Sequence, residues 1–183
     1  MDVLAQFDVL VPTFQKLAAN TGAGDLDRST PCEGWAVRDV LDHMIGGATQ
    51  FSAVVRGQAA GPVPATTAES LAAMTAAAVA DIDDAFRAPG ALERTLDTPF
   101  GTMPGETFAR LVVLDGLVHS WDLATATGQD LDVPDELVAA VDGFARAAIT
   151  PELRVPGVFG PEVEPQPDAT PIERLVAFCG RQA

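Results

Sequence analysis

The chain has 183 residues, 48% of them apolar and 20% charged, with a formal net charge of −15. That acid excess excludes nucleic acid and anionic membrane surfaces as partners, because both attract Lys and Arg clusters that this chain lacks, and no apolar run approaches the roughly 20 residues of a bilayer span. The length fits one domain with a sizeable core, taken here as 1–183 with its core over 1–150 and a Pro-rich segment and short helix over 151–183.

Helical periodicity dominates the chain. The opening "MDVLAQFDVLVPTFQKLAAN" has neither a basic n-region nor a small-residue cleavage site, which points to the cytoplasm; Leu4, Phe7, Val11, Phe14 and Leu17 recur at helical spacing, so a first helix is expected over Asp2–Asn20. Pro12 is expected to bend it or delay its start. A second helix is predicted over Ala36–Arg56, its apolar face formed by Val37, Val40, Leu41, Met44, Ala48, Phe51 and Val55 and its end marked by Gly57. The loop "GQAAGPVPATT" leads to a third, Ala68–Arg87. "ERTLDTPFGTMPGETF" breaks the helical pattern, with a turn around Pro99–Gly101 and room for two short extended pieces. A fourth helix follows over Glu106–Thr127, and a fifth over Pro134–Ile149 with Pro at the favoured first-turn position. "TPELRVPGVFGPEVEPQPDATP" reads as a long irregular stretch before a short helix from Pro171 to about Gly180, and there is no internal repeat. Four long amphipathic helices around one core predict an all-α four-helix bundle, with short C-terminal helices and a small hairpin element before the fourth.

The fourth helix carries polar groups on the face it should bury. At about 100° per residue with Asp115 as zero, His119 falls near +40° and Asp122 near −20°, among Phe108, Leu111, Val112 and Val118. A buried carboxylate or imidazole is costly unless it is hydrogen-bonded, charge-paired or metal-bound. Asp115 and His119 stand four residues apart, which stacks two donors one turn from each other. His43 is the other of the chain's two histidines, and it borders the apolar face of the second helix beside Gly46 and Gly47, which trade helix propensity for space. Two histidines and a carboxylate are the donors of a catalytic divalent-metal site with a position left for water or substrate. Asp122 either orients a ligand or replaces Asp115 as donor. The competing reading is a metal-free hydrogen-bonded cluster in the core.

The two cysteines, Cys32 and Cys179, form no CxxC pattern, and reduced thiols are expected in a cytosolic protein. Cys32 precedes the second helix, whose dipole would favour its thiolate; an inert, partly buried thiol is the more common fate of such a residue. Trp35 and Trp121 read as core or pocket-wall aromatics, Arg38 and Asp39 as solvated residues at a helix start.

"STPCEGWAVRDVLDHMIGG" and, later, "FGTMPGETFARLVVLDGLVHSWDLATATGQ" resemble the DinB-like metal-binding helical bundles, in the branch similar to the N-terminal domain of mycothiol-dependent maleylpyruvate isomerase. The elements that carry the likeness are Trp-x-Val-x-Asp-Val-x-x-His and Asp-x-x-x-His-x-Trp-Asp-Leu-Ala, and it extends to about Gln129. The resemblance implies a four-helix bundle holding one divalent ion, Zn2+ with Ni2+ as the alternative, on His43, Asp115 and His119. It also implies action with a low-molecular-weight thiol such as mycothiol, in a transferase or isomerase reaction on a small-molecule substrate. The isomerase carries a second, α/β domain, for which the roughly 54 residues after Gln129 are too few and too rich in Pro. Metal-dependent hydrolysis, a non-catalytic metal- or ligand-binding bundle and a pure interaction bundle are the alternatives, and either a monomer or a homodimer is compatible with the sequence.

Overall fold

The computed structural model describes residues 1–63, 65–154 and 159–182. Its helices begin where the sequence supplies capping chemistry. Asp2 accepts the Ala5 amide at 2.9 Å and opens α1, Val3–Ala19. Asp39 accepts the Ala36 amide at 2.8 Å at the head of α2, Val37–Arg56, so this residue of the solvated helix start also satisfies an amide that the helix leaves free. Helix α2 ends on Gly57, whose φ of 67° is left-handed backbone that favours glycine.

Helix α1 runs through Pro12 and does not start late because of it. The ring removes one hydrogen bond, to the carbonyl of Asp8, and both residues lie on the exposed face, where water can take its place. Helix α3 spans Leu71–Arg87 and so begins three residues after the predicted start. Ahead of it, Thr67 and Ser70 each accept the other's backbone amide on the side-chain hydroxyl, the reciprocal pattern of a capping box, with the residues between them in a turn.

The break before the fourth helix is an antiparallel hairpin of β1, Thr95–Thr98, and β2, Gly101–Pro104, with Leu96 opposite Met103 and Asp97 opposite Thr102. It leads directly into α4, Gly105–Thr127, followed by α5, Asp135–Ala148, and α6, Pro171–Phe178. Single 3-10 turns lie at Ala23–Asp25 and Pro151–Leu153. The predicted irregular stretch is irregular over 159–170; its residues 155–158 lie outside the described residues.

In the bundle, α3 packs on both α1 and α2, and α4 likewise packs on both. Helices α1 and α2 therefore occupy opposite corners, as do α3 and α4, and the connections α1→α2 and α3→α4 run diagonally. Aromatic rings meet at the centre: Phe86 lies 5.5 Å from Phe7 and 6.0 Å from Phe108, centroid to centroid. Helix α5 packs on α4 and on α6, extending the core through Leu137, Val141, Leu175 and Val176. Arg154 fastens α6 by donating to the carbonyls of Gly160, at 2.8 Å, and Phe178, at 3.0 Å. The fold is thus all-α with one small hairpin. Among the described residues no helix is long and apolar enough to cross a membrane.

The start of α4 is tightly seated, since a Cβ on Gly105 would stand 1.9 Å from the carbonyl oxygen of Ala91. Gly105→Ala is expected to lower stability by about 1–3 kcal/mol, as overpacking does. Gly143→Ala, in the exposed interior of α5 with nothing near the new methyl, is expected to raise it by about 0.5–1 kcal/mol. Chemical denaturation of the two variants checks both signs.

Candidate metal centre

Helix α4 is more enclosed than a one-sided stripe. From Gly116 to Ala124 every residue is buried, because α1, α2, α5 and the chain's last residues cover it on successive sides. Its polar residues therefore divide by depth. Asp115 keeps 39% of its side chain exposed, His119 is buried, and Asp122 is wholly buried.

The structure brings His43, Asp115 and His119 together. One donor atom from each lies within 4.8 Å of the other two. His43 Nε2 stands 3.3 and 3.2 Å from the two Asp115 carboxylate oxygens, and His119 Nε2 stands 3.5 Å from Asp115 Oδ1. The helical spacing of Asp115 and His119 and the edge position of His43 produce this convergence between α2 and α4. Burial works against charge on the His43 ring, but the hydrogen bond and charge of Asp115 outweigh it and hold its pKa above the ordinary imidazole value. Burial likewise works against the charge of Asp115, yet His119 and the His43 hydrogen bond hold its carboxyl below the usual range. The three groups converge on one half-open space between the two helices.

Asp122 lies on the other edge of the His119 ring. His119 Nδ1 donates to Asp122 Oδ2 at 2.9 Å, which leaves Nε2 as the free lone pair on the Asp115 side. Of the two roles the sequence leaves open for Asp122, the geometry is that of an orienting group. Its carboxylate also accepts from Arg181, Nε to Oδ1 at 3.3 Å and Nη2 to Oδ2 at 3.1 Å, and Arg181 is itself buried. Sequence reading missed Arg181, which stands 59 residues beyond its partner with no motif around it. Trp35 is a wall of the cluster: its ring stacks nearly parallel on His119 at 5.5 Å and meets His43 edge-on at 5.1 Å.

Cys32 and Cys179 are both free. Cys32 is half-buried and four residues ahead of the α2 N-cap, so the helix dipole does not reach it; burial pushes its thiol up, with Arg181 opposing and Asp122 and Asp115 reinforcing. Burial pushes the Cys179 thiol up to about 12. Beside the cluster an apolar cleft enters the bundle between the four helices, with His43 and Asp115 at its polar end.

A family model described as the mycothiol maleylpyruvate isomerase N-terminal domain matches residues 10–124. The uncharacterized protein Rv0738 of Mycobacterium tuberculosis (strain ATCC 25618 / H37Rv) and the uncharacterized protein MT0763 of strain CDC 1551 / Oshkosh are each 37% identical over 183 residues, covering 99% of this chain and 98% of theirs. Crystal structures of mycothiol-dependent maleylpyruvate isomerase and of a mutant of it match with a TM-score of 0.56 at 15% identity, covering 76% of this chain and 66% of that one. At that identity the likeness is one of fold, and this chain spans slightly less than two thirds of the isomerase.

Breaking the buried ion pair should be costly, because it strands a carboxylate without exposure. Arg181→Met is expected to lower stability by about 3–5 kcal/mol, and the double variant Asp122→Asn, Arg181→Met to recover most of that loss. Urea denaturation of the metal-free variants measures both.

Proposed function

This chain belongs to the mycothiol maleylpyruvate isomerase N-terminal domain family, and we propose that it is a metalloenzyme holding one divalent ion on His43, Asp115 and His119 and acting on a small molecule with a low-molecular-weight thiol such as mycothiol. The observation that carries this reading is the convergence of three donor atoms within 4.8 Å from two helices. Two imidazole nitrogens and one carboxylate suit zinc, with nickel the nearest competitor, and three protein donors are the number that catalytic zinc sites use. Such an ion supplies Lewis acidity, bringing a bound thiol or water to a reactive, deprotonated form near neutral pH.

The chain's own residues prepare the site. Asp122 accepts the Nδ1 proton of His119 and so presents Nε2 to the cluster, while Arg181 keeps that carboxylate in place. Trp35 packs on both imidazoles and shields that side from water. The exposed edge of Asp115 leaves the cluster reachable from solvent. That access favours turnover over an ion serving only to tie two helices together, since purely structural sites are closed. Transfer or isomerisation assisted by the thiol is the reaction class proposed, and metal-assisted hydrolysis is the alternative that the same donor set would serve.

Elemental analysis of protein purified without chelator is expected to find one divalent ion per chain, and His43→Ala and His119→Ala are each expected to lose it. Metal-replete protein with no ion, or ion content undiminished in both variants, overturns the site. Consumption of an electrophile that requires both mycothiol and the bound metal, abolished in His43→Ala, is the expected sign of turnover.

A further inference from the structure

The two imidazoles of the cluster are held by different means. His119 has a hydrogen-bonded support, since its Nδ1 donates to Asp122 and Arg181 holds that carboxylate in turn. His43 has no counterpart of it: Nε2 faces Asp115, and among the described residues no protein group hydrogen-bonds its Nδ1. It is also the more open of the two, with 33% of its side chain exposed against 6% for His119. Helix α2 restrains it little. Side chains on a helix lean toward its N-terminus, so those three and four residues after His43 would lie over the imidazole, and both positions are glycine, Gly46 and Gly47.

Aromatic packing supplies what hydrogen bonding does not. Trp35 and His119 form a parallel stack, 4° apart in plane, and the His43 ring stands edge-on to both, 5.1 Å from Trp35 and 4.9 Å from His119. His119 is a donor of the same cluster, so the support that comes from outside it is Trp35. Trp35 is only half-buried, and its own loop fixes it. The Thr30 hydroxyl donates to the Trp35 carbonyl at 2.9 Å and accepts the Cys32 amide at 3.2 Å, while the Thr30 amide donates to the same Trp35 carbonyl at 2.9 Å. A bridge between Ser29 and Ala36 closes the loop at the head of α2.

We infer that Trp35 is the positioning residue for His43, holding its imidazole in the orientation in which the three donors meet, and that Thr30 sets Trp35 through the closed loop. A donor that must be ordered as its ion arrives costs affinity, and groups that orient ligands commonly account for about 10–100-fold of it. The inference rests on the proposed metal centre for what the ring is turned toward, but not for what turns it.

The chain has two histidines, so each imidazole can be followed separately by NMR. In the metal-free chain, ring relaxation and long-range 1H–15N spectra are expected to show His43 losing order in Trp35→Ala while His119 keeps a single Nδ1–H tautomer. Chelator competition is expected to show Zn2+ bound at least tenfold more weakly by Trp35→Ala and within threefold of wild type by Trp35→Phe, which restores a ring. Thr30→Val, which leaves every ring of the site in place, is expected to lower His43 order and to give an intermediate zinc affinity; it decides the matter if Trp35→Ala does not fold. His43 as ordered in these variants as in wild type, both imidazoles loosened alike, or zinc bound by Trp35→Ala as tightly as by wild type overturns the inference. Selective loss of His43 order in a chain that takes up no zinc supports the positioning role and overturns the metal centre instead.

Discussion

The candidate centre depends on a carboxylate that never touches water. Asp122 sits in the most enclosed part of α4, and burying its charge is affordable only because His119 donates to one side of it and Arg181 to the other. That arrangement settles three matters together. It fixes which nitrogen of His119 faces the cluster, it holds the imidazole at a set angle under Trp35, and it binds the last residues of the chain to the central helix. A neutral residue at 122 would leave the ring free to choose its tautomer and the guanidinium without a counter-charge.

Depth grades the chemistry along α4. Asp122, wholly buried, serves structure and orientation; His119, one turn back, is buried but has one edge turned to the cluster; Asp115, a further turn back, opens to solvent. His43 completes the group from α2, and the cleft begins beside it. Polar residues on an apolar helix thus run from support to contact within two turns, and the transition from dry to accessible lies where a small molecule could meet the donors.

Most of the fold was legible because its signals are local. The stop at Gly57 and the turn chemistry around Pro99–Gly101 act within a few residues of themselves. Pro12 did not delay α1, because the hydrogen bond it removes lies on the exposed face, and the turn that Thr67 and Ser70 hold ahead of α3 rests on side-chain bonds that a periodicity count does not weigh. Helical geometry was enough to bring His43, Asp115 and His119 toward one another. Arg181 was not legible: its role arises only when the chain end folds back over α4, and no spacing rule connects residues 59 apart. Full enclosure of the second half of α4 was hidden for the same reason, since its covering groups come from α5 and the terminal segment.

The diagonal connections have a consequence for how the chain reaches this state. Among the four bundle helices, α2 and α3 are the sequence neighbours that pack extensively side by side, whereas α1 must await both α3 and α4. Collapse can therefore start locally at the α2–α3 pair, but completing the bundle requires closing loops that span most of its length. Folding rate falls as contacts become more distant in sequence, so this topology refolds more slowly than an up-and-down bundle of equal size. His43 rides on that early pair while Asp115 and His119 arrive with α4, which makes assembly of the donor cluster a reporter of the docking of α4 on α2.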